Sequence, residues 1–176
     1  MEMNVAILKV RKFPEKVLKT KARPISEITP EIQKLAKDMI DTMWAEKGVG
    51  LAANQVGVLK QIFVASDDQV KGKEQVYLNP KIVKKEGVVK EFEGCLSVPE
   101  LYEPVKRAKR VVMRAMTLDG KTVEIKAGGL LSRIFQHETD HLNGILFVDR
   151  LGLLKSRVAK LNLSRKLSAS KISRES

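Results

Sequence analysis

In GLLSRIFQHETDHLNG, residues 129–144, the apolar residues Leu130, Leu131, Ile134 and Phe135 recur at helical spacing, with Gly129 before them and Gly144 after them as punctuation. The same helix carries His137-Glu138-Thr139-Asp140-His141, a His-Glu-x-x-His pattern. Residues four apart stand one turn apart on one helical face, so both imidazoles can grip one ion while Glu138 beside them handles protons. Asp140 falls on the side away from the metal, where a charge near the core needs a counter-charge, and Arg107 is the expected one.

Working outward, Arg110 to Met116 and Thr122 to Lys126 are two β-rich runs around the turn residues Leu118, Asp119 and Gly120, which predicts a hairpin feeding the helix. Gln61 to Ser66 and Gln75 to Leu78 read as short strands, and Ile82 to Val89 as a continuation of the strand set. Thr29, Pro30 and Glu31 form a helix start, and Ile32, Leu35, Ala36, Met39, Ile40 and Met43 extend it to about Trp44. A last helix is predicted from Leu151, with Leu151, Leu154, Val158 and Leu161 as its apolar stripe. Strands followed by one central helix imply an α+β fold.

Composition narrows the function classes. A chain of 176 residues suits one domain plus a tail, and 43% hydrophobic residues exclude disorder along the whole length. No stretch approaches the roughly 20 apolar residues of a membrane span, and no secretory signal is read. One cysteine, Cys95, cannot form an internal disulfide, which points to a cytoplasmic setting. The net charge of +12 favours an anionic neighbour, while 5% aromatics leave little with which to read bases, so sequence-specific nucleic-acid recognition is not expected.

Two histidines are all the chain has, and an open metal site usually needs three protein ligands. Phe147 stands where the extended metzincin pattern has its third histidine, and beyond His141 the only acids are Asp149 and Glu175, neither well placed to fold back. Cys95, in Glu93-Gly94-Cys95-Leu96-Ser97, is left as the third ligand, and one sulfur with two imidazoles suits zinc or ferrous iron. A third segment, Gly48-Val49-Gly50-Leu51-Ala52-Ala53-Asn54-Gln55, brings small residues and a side-chain amide that together allow close approach to a substrate. A zincin-type peptidase and a non-catalytic basic protein remain as alternative classes; the first lacks a suitable third ligand, and the second makes no use of Cys95, Glu138 or Gln55.

These three segments, in this order, resemble those of bacterial peptide deformylases, over about Met1 to Leu151. The resemblance implies an α+β fold of antiparallel strands around the metal-bearing helix. It implies Cys95, His137 and His141 as ligands of one divalent ion, Fe2+ foremost, with Zn2+ or Ni2+ able to substitute. It implies Glu138 as general base and acid, and Gln55 with the Leu96 backbone N–H as oxyanion donors. The implied reaction removes the formyl group from formyl-methionyl nascent peptides. Val49, Gly50 and Gly94 are then expected along the peptide, and Leu130 and Ile134 against the first side chain. Asn54, Glu100 and Ser132 depart from the residues common in relatives at those positions, proline, glycine and alanine.

Residues 1–150 are thus expected to form the catalytic domain and residues 151–176 a basic helix with a frayed end. That tail holds seven cations against one acid, half of the net +12. Such a run is usually a solvated face, and the alternative, implied by relatives whose C-terminal helix docks on the ribosome, is an RNA surface that suits this charge.

Overall fold

A computed structural model describes residues 6–172, with side chains in the last helix as far as residue 165. The first long element is helix α1, Pro30–Ala45, begun by Pro30 at its first position. Seven strands follow in chain order: β1 Gly50–Ala52, β2 Ile62–Ala65, β3 Gln75–Glu86, β4 Val89–Cys95, β5 Val98–Arg107, β6 Arg110–Met116 and β7 Thr122–Gly128. Helix α2, Gly129–Leu142, and helix α3, Leu153–Ile172, complete the chain. Short 3-10 turns occur at Lys16–Lys19, Ala53–Val56 and Phe147–Arg150. Mixed helices and antiparallel strands give the α+β class expected from the sequence.

The main sheet runs β1-β2-β3-β6-β7, antiparallel throughout, and β4 with β5 forms a separate two-stranded sheet. Because side chains alternate across a strand, β2 serves two cores at once. Ile62 and Val64 join Met39, Met43 and Ile32 of α1, whereas Phe63 and Ala65 join Phe135 and Ile134 of α2. This explains why β2 reads as a continuous apolar run: it is covered on both faces. Phe63, Tyr77 and Phe135 meet at centroid separations of 5.1–6.0 Å and pin α2 to the sheet.

Helix α2 starts directly off β7 and must stop at Gly144, which takes φ +73° and would place a Cβ 2.6 Å from the Lys19 carbonyl oxygen. Glycine alone tolerates both conditions, and the close approach ties the end of α2 to the N-terminal turn.

Three local expectations need correction. The runs 75–78 and 82–86 are one strand, β3, interrupted by irregular pairing around Asn79 and Pro80 rather than by a loop. Asn79 sits at φ +50° and its side-chain amide exchanges two hydrogen bonds with the Ile25 backbone, 2.8 and 2.7 Å, which secures the bulge. Val89 opens β4 in the other sheet instead of continuing the first. In α3 the inward residues are Ser156, Ala159 and Leu163, while Leu154, Val158 and Leu161 are exposed and Leu151 precedes the helix. Small residues let this helix lie close to the cluster of Leu18, Val105 and Phe147, a face that hydrophobic periodicity does not reveal. The frayed end expected beyond residue 172 lies outside the described residues.

Asp149 holds α3 in place. Its carboxylate pairs with Lys19 and Lys160 at 2.5 Å each and accepts the Leu146 N–H at 2.8 Å. Burial pushes this carboxyl up, but the bonds from Lys160, Lys19 and the Leu146 N–H outweigh it and hold it below its ordinary 3.8. With the folded value depressed, its contribution is present above the unfolded value and lost as pH falls through the folded one. Asp149→Asn is therefore expected to speed amide hydrogen exchange along α3 at neutral pH, with the exchange of α2 unchanged; equal protection in α3 rejects this role.

Candidate metal centre

Cys95 is the last residue of β4, at the tight turn into β5, where it pairs in register with Val98. His137 and His141 project from consecutive turns of α2. Cys95 Sγ lies 3.2 Å from His141 Nε2, which lies 3.2 Å from His137 Nε2. The three ligand atoms fall within 4.8 Å of one another. Three lone-pair donors converging this closely, one soft thiolate and two imidazoles, fit a single cation better than they fit each other. One further observation supports the fit: Glu138 Oε2 is buried with no hydrogen-bond partner among the described residues.

The second nitrogen of His137 is fixed from behind. Its Nδ1 lies 3.0 Å from Glu93 Oε2, and Glu93 in turn receives two bonds from Arg107, 2.8 and 2.9 Å. Arg107 also reaches Asp140 at 2.5 Å, as expected, and Asp140 is shared with Arg150 at 2.5 and 3.0 Å. Burial opposes the charge on Glu93, yet the bonds from His137 and Arg107 prevail and hold its carboxyl at about 2. A permanently ionised Glu93 therefore orients His137 with Nε2 toward the sulfur. Burial, with the positive charge of Arg107 nearby, pushes His141 well below the usual imidazole range, which keeps it a neutral donor.

The site opens into a cleft of about 520 Å³ lined on one side by Val49 and Gly50 and on another by Leu130, Ile134 and Gly94. Gln55 sits in the turn after β1 with its Oε1 accepting the Ala52 N–H at 2.9 Å. That bond leaves the Nε2 donor facing Cys95 Sγ at 3.6 Å and Ser97 Oγ at 3.3 Å. Leu96 is held by Lys12, whose Nζ donates to its carbonyl at 2.7 Å. Asn54, beside Gln55, is buried and donates to the Thr20 carbonyl at 2.6 Å, which fastens the turn to the N-terminal segment. Glu100 takes φ +61°, a conformation in which a glycine would be unstrained. Ser132 is buried against the Ala108 carbonyl, 3.1 Å, at the back of α2.

Residues 7–157 match the family profile of polypeptide deformylases. A peptide deformylase of Thermodesulfovibrio yellowstonii is 43% identical over 164 residues, covering 92% of this chain and 99% of its own. The chain belongs to the polypeptide deformylase family. A crystal structure of the peptide deformylase from Legionella pneumophila superposes with a TM-score of 0.87 at 40% identity, over 94% of this chain and 98% of that one. The peptide deformylase of Synechococcus elongatus, crystallised with actinonin, gives 0.82 at 34% identity over 93% and 90%. Like its family, the protein is a metal-dependent hydrolase that takes the formyl group from the N-terminus of peptides.

Sequence reasoning missed Glu93 as the partner of His137, and it missed the Lys12 anchor. An acid two residues before Cys95 is the only signal for the first; nothing local marks the second. Gly50 is a sharper case. A Cβ there would lie 2.6 Å from Glu138 Oε1, so the deformylase cleft wall is cut away where the carboxylate sits. Gly50→Ala is expected to displace Glu138 and lower formate release by about 10²-fold with metal content retained. Turnover within threefold of wild type would show that the approach is not needed.

Proposed function

We propose that Cys95, His137 and His141 hold one ferrous ion and that Glu138, Gln55 and Leu96 carry out deformylation of formyl-methionyl nascent chains. What carries this reading is the convergence of one thiolate and two imidazoles beside a buried carboxylate, one of whose oxygens has no hydrogen-bond partner among the described residues, at the end of an open cleft. When bound, a divalent ion supplies Lewis acidity, drawing down the pKa of a water and polarising a carbonyl. One thiolate and two imidazoles suit zinc or ferrous iron; the resemblance to bacterial deformylases puts ferrous iron first, with zinc or nickel as substitutes.

Glu138 takes the proton of the attacking water and returns it to the departing amine, so that formate and a free N-terminus result. Burial pushes its carboxyl up to about 7, which suits a group that must both accept and give a proton near neutrality. The Gln55 amide and the Leu96 N–H meet the oxygen on which charge develops, and removing one such donor costs about 10²-fold or more. Formyl carries hydrogen where other acyl groups carry carbon, so crowding at this point excludes acetylated and internal amides. Leu130 and Ile134 give the first side chain an apolar wall, with Gly94 across the cleft. Strand β1 lies at the edge of the main sheet, and Val49 with Gly50 offers backbone groups to an extended peptide, a mode that tolerates many sequences.

The proposal places the catalytic domain at residues 1–150, the appended basic helix at 151–176 and the protein in the cytoplasm, where a ligand thiol stays reduced. Docking of α3 on the ribosome is part of it, supported by the outward Lys155 and Arg157 with exposed Leu154. Cosedimentation of the full chain and of Lys155→Glu/Arg157→Glu with ribosomes tests that element, with less pelleting expected for the variant.

Metal content and formate release from a formyl-methionyl tripeptide, measured after oxygen-free purification, test the site. The wild type is expected to hold one ion per chain and to lose activity on chelation. Cys95→Ala is expected to lose the ion and more than about 10²-fold in activity, since even partners behind the ligands are worth 10–100-fold. Full activity in the chelated enzyme would reject the assignment.

A further inference from the structure

Helix α2 divides two clefts. Ile134, His137 and Glu138 face the metal side, whereas Gln136, Thr139, Asp140 and Asn143 line a second cleft of about 760 Å³ behind it. Six cations border this second cleft: Lys21, Lys81, Lys85, Lys106, Arg107 and Arg150. Arg107 and Arg150 are consumed by Glu93 and Asp140, two charges against two. The four lysines remain, exposed, and none makes an ion pair among the described residues. They come from three separate places, the N-terminal segment, β3 and β5, so the fold rather than a local charge run assembles them.

The sheets tolerate like charges to keep this arrangement. Lys106 stands directly across from Lys90, and Lys81 across from Arg114, the second relieved by the Arg114 pair with Glu124. Like charges opposed across strands destabilise a sheet, and an anionic partner would remove that cost.

We propose that this rear cleft binds the phosphate backbone of RNA, leaving the metal cleft on the other side of α2 free for a peptide. No aromatic side chain lines it, so it reads phosphates and not bases. A concave site with lysines on several walls suits consecutive phosphates. A bilayer is flat and would call for apolar anchors, of which the rim offers Val88 as its exposed large residue. The surface is distinct from α3, the helix assigned above to ribosome docking, and does not depend on that assignment.

Fluorescence anisotropy of a labelled RNA hairpin, read across a potassium chloride series with the full-length protein, tests the proposal. Lys81→Gln/Lys85→Gln is expected to weaken binding about tenfold or more near 0.1 M salt and to reduce the slope of log K against log salt by about 1.5, as two phosphate contacts are lost. Lys155→Gln/Arg157→Gln on α3 serves as the comparison, and circular dichroism checks the fold of each. If the β3 variant misfolds, Lys21→Gln/Lys106→Gln carries the same expectation. The proposal is overturned if the wild type does not bind RNA, or if binding and slope survive in the cleft variant. It is also overturned if tripolyphosphate or phosphatidylglycerol vesicles bind in preference to RNA.

Discussion

Glu138→Gln is expected to leave the metal bound and to lower formate release by about 10²–10⁴-fold, the range a positioned general acid–base supplies. The substitution keeps the volume and the position against Gly50, but an amide can neither take a proton from water nor give one to an amine. Glu138 is buried, its Oε2 has no partner among the described residues, and its backbone lies between the two histidines on α2, so no other carboxylate has access to the same point. Glu93, the nearest rival, is engaged by His137 and Arg107 and held ionised at about 2. Metal analysis alongside single-turnover formate release checks the result. A fully loaded variant turning over within tenfold of wild type would remove Glu138 from the chemistry.

Arg107→Met is expected to cost about 3–5 kcal/mol of stability, because it leaves two buried carboxylates, Glu93 and Asp140, without their shared cation. The side chains of Arg107 and Glu93 are 4% and 7% exposed, so water cannot stand in for the guanidinium. At about 2–4 °C per kcal/mol for a chain of this size, the unfolding midpoint should fall by roughly 10 °C. Metal affinity should fall with it, about 10–100-fold, since Glu93 no longer holds His137 in a fixed orientation. Arg107→Lys should recover part of the stability and less of the affinity, as a point charge cannot reproduce the two-pronged contact with Glu93. An unfolding midpoint within about 2 °C of wild type in Arg107→Met would show that the network is not a structural requirement.

Helices α1 and α2 and the β6–β7 hairpin were legible because each is specified by its own neighbours. Pro30 and the spacing of Ile32, Ala36, Met39 and Met43 are local signals, and so is the Asp119-Gly120 turn between alternating runs. The β4–β5 sheet was not legible. Its polar, half-exposed residues, such as Glu91, Glu103 and Lys106, carry little periodicity, and the strands form because the turn at Leu96 and Ser97 folds them on each other. The inward face of α3 escaped for a related reason: Ala159 and Ser156 are buried by proximity to Phe147 and Leu18, not by being strongly apolar.

The proposed ligand set was legible in the sequence, since two histidines at helical spacing and one cysteine are all the imidazoles and thiols of the chain. Local spacing fixed the relation of His137 to His141, because a helix turn has one pitch. The meeting of Cys95 with that pair, the Glu93–Arg107–Asp140 chain behind it and the lysine-bordered cleft on the far face were decided by tertiary structure alone. Those contacts join residues 14 to 46 positions apart or more, and no short-range rule of backbone geometry reaches that far; only the packing of β4 and β5 against α2 sets the distances.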